Sequence, residues 1–159
     1  MQRAELEREL EQLHPASFAW ALGCCRRDRD DAEEVLQNVY VTVLDGRATF
    51  DGRSTLKTWL FAVIRRKATA YYRIRAVRYA LLLRFGGGQA SSPVQRSQTD
   101  LIGALAQLPR RQREVVELVF YHDMTVDDAA AIMGVSAGSA RVHYDRAKKK
   151  LRVLLEVKS

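Results

Sequence analysis

Residues 125–151 read TVDDAAAIMGVSAGSARVHYDRAKKKL, and the punctuation of this stretch settles the fold of the C-terminal half. Thr125, followed three residues later by Asp128, resembles a capping box with Asp in place of the usual Glu, and so opens a short helix. Gly134 supplies the left-handed residue at which that helix stops, and Ser136 is placed to cap the next one. Ala130, Gly134 and Ala140 are small where two helices joined by so tight a turn must approach, with Ile132 and Val135 filling the space beneath. Two short helices joined by a glycine-containing turn predict a helix-turn-helix.

In that arrangement the second helix lies in a DNA major groove, with its N-terminal half nearest the bases. Ser136, Ser139, Arg141, Val142, Asp145 and Arg146 are then the candidates for base edges, since Arg grips guanine through two bonds and Asp accepts from cytosine. Lys149, with its neighbours Lys148 and Lys150, lies further along and suits phosphates, as does Arg113 on the preceding helix. The same pattern also fits a plain helical bundle with a solvated basic end.

Charge along the chain is uneven. Residues 1–51 hold 6 basic and 11 acidic side chains, residues 52–99 hold 10 basic and none acidic, and residues 100–159 hold 10 basic and 8 acidic. A 48-residue stretch without a carboxylate is the footprint of a polyanion-binding surface. Within it Trp59, Phe61, Tyr71, Tyr72 and Tyr79 are interleaved with Arg53, Lys57, Arg65, Arg66, Lys67, Arg73, Arg75 and Arg78. Cations that track a backbone and aromatics that stack on unpaired bases are what single-strand binding needs. Aromatics at helical spacing are also core formers, and Trp59 and Phe61 cannot face the same way, so Trp59 reads as a core residue that at most borders the strand.

Around these segments the pattern is helical. Helical spacing covers residues 4–13 and 16–25, broken at His14-Pro15. Residues 31–44 place Val35, Leu36, Val39, Tyr40 and Val43 on one face, with Asp30 or Asp31 as N-cap. Ser54 is the expected cap of a helix through Trp59, Leu60, Val63 and Ile64 that ends near Tyr79. Residues 84–100, RFGGGQASSPVQRSQTD, have the composition of a linker. The expected fold class is therefore all-α: two small helical domains, residues 1–80 and 101–159, joined by a tether over 81–100.

Three further features bound the reading. No apolar run approaches the length of a membrane span, and the charged opening MQRAELERELEQL is unlike a signal peptide, so a cytoplasmic protein without membrane insertion is expected. The two cysteines, Cys24 and Cys25, are adjacent and read as ordinary thiols. Three histidines, no glycine-rich phosphate loop and no metal-spaced cluster argue against an enzyme, a metal or a cofactor.

The segments DRDDAEEVLQNVYVTVL, FDGRSTLKTWLFAVIRRKATAYYR and LPRRQREVVELVFYHDMTVDDAAAIMGVSAGSARVHYDRAKKKL, in this order, resemble regions 2 and 4 of bacterial RNA polymerase sigma factors. More narrowly they resemble the extracytoplasmic-function (ECF) class, which has only those two domains. The resemblance covers about residues 10–79 and 100–155.

It implies an alternative sigma factor that binds core RNA polymerase, reads -35 and -10 promoter elements and stabilises opened DNA, the polymerase doing the chemistry. Its partners would be core polymerase through the β′ coiled coil and the β flap, promoter DNA, and an anti-sigma factor. By position, Asp31, Glu34, Leu36, Gln37 and Tyr40 match the core-binding helix. Phe50, Asp51, Gly52, Arg53 and Ser54 match the loop that receives a base flipped from the -10 element. Lys57, Trp59, Arg65, Arg66, Lys67 and Thr69 match the melting and -10-reading helix, and the C-terminal residues named above match the -35 reader. Asn38, Arg66, Val142 and Asp145 depart from the residues common in relatives, so the promoter sequence does not carry over. The alternative is a stand-alone helix-turn-helix regulator, which would account for the C-terminal half but leave the acidic DAEEVLQ helix and the aromatic basic stretch without a role.

Overall fold

The computed structural model describes residues 1–86 and 100–156, and within them all regular structure is helical. The order is α1 (Arg3–Cys24), α2 (Arg29–Leu44), α3 (Leu56–Arg84), α4 (Asp100–Ala106), α5 (Arg110–Val116), a π-helical turn (Glu117–Tyr121), α6 (Val126–Met133) and α7 (Ala137–Glu156). Helices α1, α2 and α3 pack on one another as an N-terminal unit, and α4 to α7 form a C-terminal one.

Several boundaries differ from the sequence reading. The break expected at Pro15 is absent, because α1 runs through it. Pro15 and Glu11, whose carbonyl loses its partner, are both exposed, so water can satisfy the freed group. The cap of α2 is Asp28, which accepts from the Asp31 N–H at 2.9 Å, and neither Asp30 nor Asp31 holds that position. The cap of α3 is Thr55, not Ser54; its hydroxyl accepts from the Thr58 N–H at 3.1 Å. Helix α3 also continues past Tyr79 to Arg84, since Ala80 and Leu81, Leu82 and Leu83 are helix formers and the first glycine is Gly86. Residues 87–99, most of the expected tether, lie outside the described residues.

The C-terminal punctuation is as read. Thr125 accepts from the Asp128 N–H at 3.0 Å, Gly134 is left-handed at φ 69°, and Ser136 accepts from the Ser139 N–H at 3.1 Å. Ala130 and Ala140 are buried, which lets α6 and α7 meet, while Ala147 packs with Leu108 and Val116.

One core runs through both units. From the N-terminal side it takes Trp20, Val35, Val39, Leu60, Phe61 and Ile64, and from the C-terminal side Val115, Leu118, Met124, Ala129 and Ile132. Trp20 is fully buried, stacks on Phe61 with ring centres 5.7 Å apart, and donates its indole N–H to the Phe61 carbonyl at 3.0 Å. The His122 ring, from the other unit, stands edge-on to Phe61 at 4.9 Å and to Trp20 at 5.9 Å.

Candidate nucleic-acid and partner interfaces

Five of the expected -35 residues form a continuous stripe. Helix α7 buries Ala140 and Ala147 and turns Arg141, Val142, Asp145, Arg146 and Lys149 outward, at the steps of three and four that define one helix face. Arg141 is 3.5 Å from Asp127 of α6, and Lys148 is 3.6 Å from Asp145; both are loose, exposed pairs that leave the cations free to exchange. Ser136 is committed to capping and Ser139 is half-buried beside it. Arg113 lies half-buried on α5.

The residues expected at the -10 strand divide into two groups. In the open group, the loop 50–54 is exposed from Asp51 onward. The Asp51 carboxylate accepts from the Arg53 N–H at 3.1 Å, and Gly52 sits at φ 76°, a turn that needs no side chain. Phe50 packs against Trp59 with ring centres 5.6 Å apart. Trp59 is thus half-buried at the loop's edge, as the sequence reading placed it, and Arg66, two turns on, is exposed.

The closed group is Lys57, Arg65 and Thr69, spaced by two turns and then one along the face of α3 that meets the C-terminal unit. Lys57 Nζ donates to the His122 carbonyl at 3.2 Å, and Arg65 grips buried Glu114 through Nε and Nη2. Arg110 Nη2 donates to Thr69 Oγ1 at 2.7 Å. Beside them Arg27 Nη2 donates to buried Glu117 at 2.8 Å. Gly23 makes room for that carboxylate: a Cβ there would stand 2.1 Å from Glu117 Oε2. Two buried acids of the C-terminal unit therefore occupy two cations of the N-terminal one. The sequence reading gave Glu114 and Glu117 no role; only the fold brings them to these cations. Lys67 is half-buried on α3, outside this clasp.

The acidic helix α2 also divides. Asp31 is buried at 9% exposure, and its oxygens accept from the Tyr71 and Tyr72 hydroxyls and from Arg75, each at 2.8 Å. Leu36 is 2% exposed. These two therefore point into the protein, against the expectation that they face a partner. Glu34 and Gln37 are exposed, and Tyr40 is half-buried. Gln37, Tyr40 and the edge of Leu36 line a shallow cavity of ≈ 300 Å³ together with His14, Phe18, Arg29 and Glu33. Tyr40 and His14 are hydrogen-bonded at 2.8 Å across it. Arg29 and Glu33 precede Gln37 by two turns and one turn and so share its face; the sequence reading gave none of these last four residues a partner-facing role.

Burial pushes the Cys25 thiol up to about 12 and raises that of Cys24 as well, which keeps both protonated at neutral pH. Among the described residues, no three His, Cys, Asp or Glu side chains converge as a metal site, and no helix is long and apolar enough to cross a membrane.

Two family models match the chain in tandem: Sigma-70 region 2 over residues 10–78, and Sigma-70 region 4 over residues 98–151. The chain is 34% identical over 125 residues to the ECF RNA polymerase sigma factor SigF of Caulobacter vibrioides, covering 76% of this chain and 69% of that protein. It is 31% identical over 135 residues to the ECF RNA polymerase sigma factor EcfG of Rhodopseudomonas palustris, covering 80% and 73%. Among solved structures, the sigma factor RpoE of Bartonella quintana, in complex with the anti-sigma factor NepR, superposes with a TM-score of 0.77 at 27% identity over 98% of this chain and 99% of that one. CnrH, in complex with the cytosolic domain of CnrY, gives 0.66 at 26% identity over 96% and 91%. With both regions matched in order, the chain belongs to the ECF class of sigma-70 RNA polymerase sigma factors.

Proposed function

We propose that this chain directs transcription initiation through three surfaces: the α2 face beside the ≈ 300 Å³ cavity, for core RNA polymerase; loop 50–54 with Trp59 and Arg66, for an opened -10 strand; and the outer stripe of α7, for the -35 major groove. The observation that carries the reading is the open loop and the exposed α7 stripe on one chain, since a duplex-reading regulator has use only for the second. The polymerase supplies the chemistry and the chain supplies binding; holding an extruded base offsets the few kcal/mol that unstacking costs.

Glu34, Gln37 and Tyr40 are the residues of α2 that can touch a partner, with His14, Arg29 and Glu33 extending that face. Asp31 and Leu36 serve by fixing the helix. The units 1–80 and 101–159 would act as separate modules on DNA, with 81–100 between them. Lys57, Arg65 and Thr69 join the -10 surface only after the units part and Glu114 releases Arg65. A partner that holds the units together would keep these residues out of reach, which is how an anti-sigma factor would silence this chain in the cytoplasm. Run-off transcription with purified core polymerase on genomic fragments tests the reading. New discrete start sites are expected; silence, together with dimeric binding to duplex sites, would favour a stand-alone regulator.

A further inference from the structure

Helix α3 leaves the bundle after Tyr72. Tyr71 and Tyr72 are its last half-buried residues, and from Arg73 to the end of the helix every position is exposed. A helix end meant for water carries polar residues, whereas this one reads RIRAVRYALLLRF over residues 73–85. Ile74, Val77, Leu81 and Phe85 are 54%, 56%, 49% and 80% exposed. At about 100° per residue these four fall on a single stripe, with Arg73 and Arg84 along one edge and Arg78 along the other. Steps of three and four make the seam by which one helix packs against another.

The charge of the rim narrows the occupant. Residues 52–99 contain no carboxylate, and Arg73, Arg78 and Arg84 form no ion pair among the described residues, Arg75 alone being taken by Asp31. A second copy of the chain would set arginine against arginine in either orientation, which penalises self-association. Phosphates of a nucleic acid would meet the arginines but leave the seam in water. A bilayer surface wants a polar outer face, yet Tyr79, Leu82 and Leu83 continue the apolar surface round the helix, the pattern of a segment enclosed by protein. We propose that residues 73–85 are a docking surface for an acidic amphipathic helix of a partner protein. This surface is separate from the loop, the α7 stripe and the α2 face, and it stands whether or not those surfaces act as described above.

The test uses the full chain and two labelled designed peptides of about four helical turns, identical in their leucine seam and flanked by Glu in one and by Lys in the other. Fluorescence anisotropy should show the Glu peptide binding at least ~10-fold tighter than the Lys peptide, as complementary rims demand. The I74S/L81S double variant should lose that binding at least ~10-fold, and R78E/R84E should reverse the preference between the peptides. All four positions are exposed, and thermal melts by circular dichroism should match the unaltered chain. Equal binding of the two peptides, or variants that bind as before, would overturn the proposal. So would seam-dependent flotation with phosphatidylglycerol vesicles in preference to the peptide, arginine-dependent but seam-independent binding of oligo-dT, or a dimer in sedimentation that I74S/L81S abolishes; these assign the surface to a bilayer, to nucleic acid and to a second copy, respectively.

Discussion

Asp31, at the start of α2, and Arg75, well along α3, meet at 2.8 Å, and the same carboxylate also takes the hydroxyls of Tyr71 and Tyr72. An acid that looks from sequence like surface charge is the buried joint between two helices. Asp31→Ala should lower the unfolding free energy by about 2 kcal/mol, the scale of leaving buried donors without an acceptor. Glu34→Lys, three residues on, should leave it within about 0.5 kcal/mol, as exposed substitutions do. Urea titration of the two variants checks this: equal stability would mean that Asp31 is not a structural joint. Core-polymerase affinity, measured alongside, should fall for Glu34→Lys.

Glu114 lies between Arg65 and Arg110 with a side chain only 7% exposed. Glu114→Ala strands the Arg65 guanidinium, and orphaning one member of a buried pair costs about 3 kcal/mol or more. The cost falls on the contact between the two units. Dyes on α2 and α7 should therefore report a longer mean separation in the variant, and the freed Arg65 should raise affinity for single-stranded DNA. An unchanged energy-transfer distance would show that the shared apolar core alone holds the units together.

Gly23→Ala attacks the same contact from the other side. Its methyl would occupy the place of Glu117 Oε2, so the carboxylate must turn away from Arg27 or the helix must shift. A loss of about 1–3 kcal/mol is expected from overpacking of this kind. Combining the change with Glu117→Gln should cost less than the sum of the two separately, since both disturb one contact.

His122 titrates low. Burial, then the charges of Lys57 and Arg27, depress its pKa from 6.5 to about 4, against a smaller opposing effect of Asp123. The unfolded chain therefore binds the proton first as pH falls. Stability from this residue is complete above pH 6.5 and is lost on acidification toward pH 4, below which both states are protonated. Glu117, whose pKa burial raises despite Arg27 and Arg113, has the opposite sign, losing stability as pH rises through its folded value. The two are separated by comparing His122→Gln with the unaltered chain. The variant should lack the slope between pH 6.5 and 4; the same slope in both would assign it elsewhere.

On the α7 stripe, Arg141→Ala or Arg146→Ala should relax base preference at one or two -35 positions by about 1–3 kcal/mol, the value of a two-bond guanine contact. Lys149→Ala should weaken all sequences alike. Selection from a randomised -35 pool with the reconstituted holoenzyme distinguishes the two behaviours. Uniform weakening by an arginine change would reduce that arginine to a phosphate contact.

Local chemistry made the C-terminal half legible. Thr125, Gly134 and Ser136 act through hydrogen bonds and backbone angles that depend only on near neighbours, and the structure repeats them in detail. Caps were misread by two or three residues at Asp28 and by one at Thr55, where several polar residues in a row could each fill the position. Pro15 misled because its cost depends on whether water reaches the carbonyl before it, which is a tertiary fact. The division of Lys57, Arg65 and Thr69 from Trp59 and Arg66 was invisible for a similar reason. A sequence gives the turn of a helix, but the partner on each face comes from residues such as Glu114, 49 positions away from Arg65.

The apolar core shared by the two units has a mechanical meaning. Drawing them a short way apart breaks the packing of His122, Phe61 and Trp20 without freeing Arg65 far enough to grip anything else, so intermediate separations gain nothing. Packed interfaces of this kind shift between discrete arrangements instead of bending through a range. A partner that held the two units apart would therefore have to cover the apolar surface that parting lays bare.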